Sequence, residues 1–239
     1  MDMPWFYLAD LPAGQLIALD ENAAKHAVQV LRMQEGDSML LTDGKGQLCE
    51  GKLAQVQKKK CLVQLNHCQL ISRKVERKVA IGISPLKNAS RFEWFLEKAT
   101  ELGVAEIFPL LCNRTVRSHF RMDRLQAICV SAMLQSQQAW LPVLHAPVPY
   151  HELMQRMEQV HYHHRWIAHC SDLEKHHLSK VLQPGMTDSL LLIGPEGDFT
   201  NEEIVLAETH NFSAVALGDT RLRTETAGVA AAALLCLMS

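Results

Sequence analysis

The stretch L190-L-L-I-G-P-E-G-D-F199 decides how the rest of the chain is read. Four aliphatic residues run directly into Gly194-Pro195-Glu196-Gly197-Asp198, so a short buried strand ends in a turn that carries acid. Four to eight continuous apolar residues bounded by glycine and proline fit a strand covered on both faces, as in a parallel sheet. Gly194 and Gly197 let the backbone approach a ligand closely, and Pro195 stiffens the turn. Thr200 followed by Glu203 reads as a capping box that opens a helix over NEEIVLAETHN. A tight strand-to-helix turn accounts for both glycines but leaves Glu196 unexplained.

A second loop of the same kind follows. In A216-L-G-D-T-R-L-R-T-E-T-A-G-V-A230, Arg221, Arg223 and Glu225 alternate with Leu222, Thr224 and Thr226, between an aliphatic run and a very apolar helix. Ligands of open α/β sheets sit beyond the carboxyl ends of strands. Two polar loops at two such ends point to one site.

Working outward, VAIGISPL and AEIFPLL read as further buried strands, and RWIAHC and AVALG as others. Between them, Phe92, Phe95, Leu96, Ala99 and Leu102 share one face of a helix that Gly103 closes, and MDRLQAICVSAMLQSQQ reads as a second amphipathic helix. Alternating strand and helix predicts an α/β unit with a mostly parallel sheet over residues 73–239. Residues 1–72 read differently. SMLLTDGKGQLCEGKLAQV is a hairpin around Asp43-Gly44-Lys45-Gly46, and CLVQLNHCQLI alternates, so a small β-barrel-like domain is expected there. ENAAKHAVQVLRM supplies one short helix, and SRKVERK at 72–78 reads as a solvated linker.

The composition of the 239 residues, 48% hydrophobic and 21% charged, is that of an ordinary soluble globular protein. No apolar run reaches the eighteen or so residues a membrane span needs, and MDMPWFYLAD lacks the basic start of a signal peptide. Seven scattered cysteines without a Cys-x-x-Cys pair read as reduced thiols, hence a cytoplasmic protein. Residues 1–140 carry 18 basic and 14 acidic side chains, residues 141–239 carry 6 and 12. A nucleic-acid partner on the first part is allowed, though not demanded.

Two motifs are set aside. GQLCEGKL imitates a phosphate-binding loop, but Leu53 stands where a hydroxyl is needed and the segment lies within a hairpin. His161, His163, His164, His169 and Cys170 are crowded in HYHHRWIAHC without a spacing that specifies metal geometry, so no metal site is expected.

GPEGDF followed by LGDTRLRTETA resembles the motif pair of the SPOUT-superfamily 16S rRNA (uracil-N3)-methyltransferases of the RsmE type. RFEWFLEKATELGVAEIFPL resembles that family's Arg-x-Glu helix and Lys-x-x-Glu-Leu-Gly-Val segment, and HAVQVLRMQEGD with TDGKG resembles its PUA-like front domain. The likeness spans nearly the whole chain. It implies a trefoil knot holding S-adenosylmethionine (SAM), with Ile193, Gly194, Pro195, Glu196, Gly197, Leu217, Gly218, Leu222, Arg223, Thr224 and Thr226 at the cofactor, and Ala168 and His169 as weaker candidates. Nothing in the periodicity implies a knot.

The resemblance also implies a homodimer, with the helix from Ala227 buried in knot and interface, and 16S rRNA or the small ribosomal subunit as partner. Methylating N3 of uracil requires loss of its proton, so Arg223 is expected to stabilise the anion or position the base. Glu225 or Glu196 is expected to take the proton or orient that arginine. Lys58, Lys59, Lys60, Arg91 and Arg114 are candidates for RNA phosphate. Ribose 2′-O-methylation and a non-catalytic RNA-binding assembly factor are the alternatives. The chain departs from the family pattern at Asp198, where many members carry glycine, at Asp219-Thr220, and at Leu134-Gln135-Ser136-Gln137-Gln138, where an arginine is common.

Overall fold

The computed structural model describes residues 3–12, 16–57, 60–73, 78–116, 120–160, 162–171 and 175–238. The chain divides into two compact units, one of residues 1–73 with 133–141, the other of residues 74–132 with 142–239.

In the first unit, β1 (Trp5–Tyr7), β2 (Leu16–Ala18), β3 (Ser38–Thr42), β4 (Gln47–Gln57) and β5 (Lys60–Leu70) form one sheet ordered β1-β3-β4-β5-β2. All its pairs are antiparallel except β1 with β3. The hairpin read around Asp43 is the β3–β4 turn. The Asp43 carboxylate accepts from the amides of Lys45 (2.7 Å) and Gln47 (3.0 Å), and Gly46 adopts φ +100° against the Trp140 ring. Alternate residues Met39, Leu41, Leu53, Val63 and Leu65 close over α1 (Glu21–Lys25), which Asp20 caps through Ala23 N–H. The reading of seven reduced thiols needs correction. Cys49 and Cys68 oppose each other in the β4–β5 register and form a disulfide, leaving Cys61, Cys112, Cys129, Cys170 and Cys236 free. A pairing between strands 19 residues apart leaves no trace in local spacing.

The second unit contains β6 (Val79–Ile83), α2 (Ala89–Leu102), β7 (Glu106–Leu111), α3 (Met122–Gln135), β8 (Val143–Leu144), β9 (Val148–Pro149) and α4 (Tyr150–Arg156). After these come β10 (His164–Ala168), β11 (His176–His177), α5 (Leu178–Val181), β12 (Ser189–Ile193), α6 (Asn201–Thr209), β13 (Ser213–Ala216) and α7 (Thr224–Leu237). The sheet is ordered β11-β13-β10-β12-β6-β7-β8, with β9 also on β7, and every pair is parallel. All five residues of β6 and of β12 are buried, as two-sided coverage requires.

Register carries the argument to the site. Ala168 pairs with Ile193 and with Val215, and Ile193 pairs with Ile83, so β6, β10, β12 and β13 finish side by side. The loops that follow all leave the same edge. From β13 the chain turns back past the 194–199 loop, where the Thr224 hydroxyl donates to Gly194 O (3.2 Å), and α7 then packs on α2, β6 and β12 at the sheet centre. This return sets the start of α7 against the 194–199 loop. It is tight: a Cβ on Gly228 would stand 2.6 Å from the Phe95 ring. In α2, Phe92, Phe95, Leu96 and Ala99 are buried as read, and Gly103 ends the helix at φ +91°. Thr100 takes the buried position expected of Leu102; its hydroxyl donates to Leu96 O at 2.7 Å, so burying it leaves no unmet polar group. Among the described residues no helix is long and apolar enough to cross a membrane.

Candidate active site

The ends of β10, β12 and β13, with Arg91 of α2 and the start of α7, line a cavity of about 790 Å³, within the size of small-ligand sites. Ala168, His169, Ile193, Gly194, Pro195, Glu196, Leu217, Gly218, Leu222, Arg223, Thr224 and Glu225 all line it. Gly197 and Thr226 do not. Gly197 turns its α-carbon toward Arg114, whose Cδ lies 3.3 Å from where a Cβ would be, and Thr226 is exposed between the lining residues Glu225 and Ala227.

The 194–199 loop is a tight turn closed by Asp198 N–H donating to Pro195 O (2.9 Å), with Asp198 at φ +65°. Thr200 and Glu203 form the full capping box of α6. The same Glu203 carboxylate also accepts from Asn113 N–H (2.7 Å), joining the loop after β7 to the start of α6. Glu196 accepts from Lys87 N–H (3.3 Å) and is exposed. Arg223 occupies the N-cap position of α7, is exposed, and makes no side-chain capping bond.

Glu225 differs from both. It lies in the first turn of α7 with its side chain 9% exposed; Oε1 is 3.6 Å from Arg91 Nε, and Oε2 has no hydrogen-bond partner among the described residues. His169 is buried, its Nδ1 hydrogen-bonded to Ser171 Oγ (2.8 Å). Burial, with Lys175 nearby, lowers the imidazole pKa below its usual value, so the ring is neutral near pH 7. Lys175 Nζ donates to His169 O and Ser171 O (2.7 and 2.6 Å).

Two of the phosphate candidates are put to other use. Arg91 lines the cavity beside Glu225, and Arg114 donates through Nη1 to Gly197 O (2.6 Å) and Phe199 O (3.4 Å), gripping the loop. Lys58 and Lys59 lie outside the described residues, as does the Lys60 side chain and His161 of the histidine run. His164 stacks on Trp166 instead of facing the cavity. Sequence reasoning missed Lys175 on the wall, gave Arg221 of the second loop no role, and treated Asp198 and Asp219 only as departures. Asp219 pairs with His177 at 3.2 Å. Position on a strand end was the available signal for Asp219 and Arg221; Lys175, inside a charged run, offered none.

The wall therefore presents Arg91, Lys175, Arg221 and Arg223 against Glu196, Asp198, Asp219 and Glu225. Such balance, with a buried Glu225 Oε2 that has no hydrogen-bond partner among the described residues, fits a ligand that is itself charged in both senses.

Parallel strands with a returning last helix, and a charged cavity at the strand ends, define an α/β ligand-binding domain. A model described as "RNA methyltransferase domain" matches residues 73–236, and one described as "RNA methyltransferase PUA domain" matches residues 19–66. The "Ribosomal RNA small subunit methyltransferase E" of Synechocystis is 31% identical over 217 residues, covering 88% of this chain and 70% of that protein. A probable rRNA-methyltransferase from Porphyromonas gingivalis superposes with TM-score 0.86 at 32% identity, covering 96% and 95% of the two chains. The small subunit methyltransferase E of Neisseria gonorrhoeae, solved with SAM bound, gives 0.86 at 29% identity over 99% and 98%. The chain belongs to the family of ribosomal RNA small subunit methyltransferase E, and is an RNA methyltransferase.

Proposed function

We propose that this chain transfers a methyl group from SAM to N3 of a uridine in 16S rRNA, on the assembled small subunit. The observation that carries this reading is Glu225 with its unpartnered Oε2 beside Arg91, in a cavity whose rim holds Arg223. SAM bound there supplies an electrophilic methyl group on a sulfonium. Gly194 and the 217–222 loop offer backbone groups to adenine and methionine, and the aliphatic side chains of Ile193, Leu217 and Leu222 exclude water.

N3 of uracil has no free lone pair until its proton leaves. Arg223, exposed at the rim and free of any capping bond, stabilises the developing uracil anion and positions the base. Glu225 Oε2 accepts the N3 proton, with Arg91 fixing the carboxylate through Oε1. General-base assistance of this kind contributes roughly 10²–10⁴-fold, and holding N3 in line with the methyl carbon contributes about 7–11 kcal/mol in favourable cases. Glu196, held by Lys87 N–H, braces the loop instead of moving the proton. RNA phosphate contacts fall to the lysine run at 58–60, because Arg91 and Arg114 are already engaged.

The protein acts in the cytoplasm as a homodimer. Trp94 on α2 and Leu237 and Met238 at the end of α7, all exposed apolar side chains, support a second copy. The decisive experiment is transfer from labelled SAM to small subunits lacking the modification, followed by nucleoside chromatography. 3-Methyluridine is expected. A 2′-O-methylated nucleoside would replace the reaction, and SAM binding without any product would favour the assembly-factor reading.

A further inference from the structure

Two of the segments that line the cavity are the residues leaving β10 and the turn leaving β12. Only the last ladder pair, Ala168 with Ile193, joins them through backbone. Beyond it the 169–171 segment needs another anchor. Lys175 holds it from one side through His169 O and Ser171 O. On the other side the anchor is Asp198. Its Oδ2 accepts from Cys170 N–H at 2.8 Å, and its Oδ1 accepts from Phe199 N–H at 2.9 Å.

Asp198 also stands at φ +65°, a left-handed conformation in which glycine is the strain-free choice. A turn-forming role alone is therefore served as well by glycine. What glycine lacks is the acceptor for Cys170 N–H. A side chain kept at a strained backbone position, bonded to a residue 28 positions away across a cavity both of them line, has its purpose at that cavity.

We infer that Asp198 is a positioning residue for the cofactor: its carboxylate clamps the β10 exit to the β12 turn and so sets the width of the pocket that receives SAM. The inference rests on the cofactor reading above and deepens it. Asp198 touches no reacting atom; it acts through the backbone of His169–Cys170 and of Gly194–Phe199.

The test is calorimetric titration of SAM into the 239-residue protein and three variants, alongside their melting temperatures. D198G relieves the left-handed strain but removes the clamp, so SAM affinity is expected to fall roughly tenfold, the scale of a charge-assisted hydrogen bond, while Tm stays within a few degrees. D198N keeps one acceptor oxygen for Cys170 N–H and is expected to restore affinity to within about threefold. D198A loses the clamp and keeps the strain, so affinity and Tm both fall. In turnover, D198G raises KM for SAM with little change in kcat. Unaltered SAM affinity in D198G and D198A overturns the role of Asp198 alone. So does an affinity that tracks Tm across all three variants, D198N included. Failure of the unsubstituted chain to bind SAM overturns the cofactor reading and the clamp with it.

Discussion

Two glutamates at opposite ends of one parallel sheet are treated in opposite ways. Glu106, at the start of β7, is fully engaged: Lys78 pairs with Oε1, and Oε2 accepts from Tyr162 OH (2.8 Å) and meets His145 Nε2 (3.1 Å). Burial by itself raises its carboxyl pKa, but the hydrogen bonds from His145, Lys78 and Tyr162 outweigh burial and hold it at about 2. Glu225, at the strand-exit end, is as buried, yet among the described residues it has one guanidinium contact at 3.6 Å and an oxygen with no hydrogen-bond partner. The first arrangement spends all its acceptor capacity on the fold. The second withholds it, and unmet buried charge tends to mark the place where a protein does its chemistry.

That contrast breaks first on exchange of the two carboxylates for amides. E225Q is expected to lower the single-turnover methylation rate by roughly a hundredfold or more, with Tm unchanged or higher, since it removes a charge poorly matched to its surroundings. A drop in Tm with the rate intact would make Glu225 a second Glu106. E106Q is expected to do the reverse, lowering stability by about 3 kcal/mol, or roughly 6–12 °C in Tm for a chain of this size, while each folded molecule keeps its turnover. Denaturant melts and active-site-normalised rates measure both.

A pH series sharpens the comparison with a smaller effect. Because the folded pKa of Glu106 lies below the ordinary carboxyl value of 4.5, its stabilisation is complete above pH 4.5 and is lost as pH falls from there toward 2. E106Q is expected to show a flatter decline of stability over that window than the unsubstituted chain, and parallel curves would dismiss the network. Smallest is T200A, which removes one hydroxyl of the α6 capping box. A loss of about 1 kcal/mol is expected in a urea melt, with SAM affinity little changed, because the Glu203 bond to Asn113 N–H persists.

Much of the strand-exit end was legible in the chain. L190-L-L-I193 before two glycines specifies a buried strand and its turn, and the Thr200–Glu203 spacing specifies the capping box by local geometry alone. The polar cluster at the other end was not, because Lys78, Glu106, His145 and Tyr162 come from four separate segments and each alone reads as a solvated residue. Arg91 illustrates the same limit within the site. Its spacing on α2 places it beside Phe92 and Phe95, but only the return of α7 brings Glu225 to it and turns it inward. The knot was legible only through family likeness, since periodicity describes elements and says nothing of how one passes another.

The returning helix has a consequence for the timing of biosynthesis. Thr224 bonds to Gly194, Glu225 meets Arg91 and Gly228 packs on Phe95, so the pocket needs partners from residues 91 to 228 at once. A nascent chain that has already paired β6, β7, β10 and β12 owns most of a sheet but an incomplete cavity wall. Only when residues beyond 224 have emerged and packed against the 194–199 turn and α2 is that wall closed.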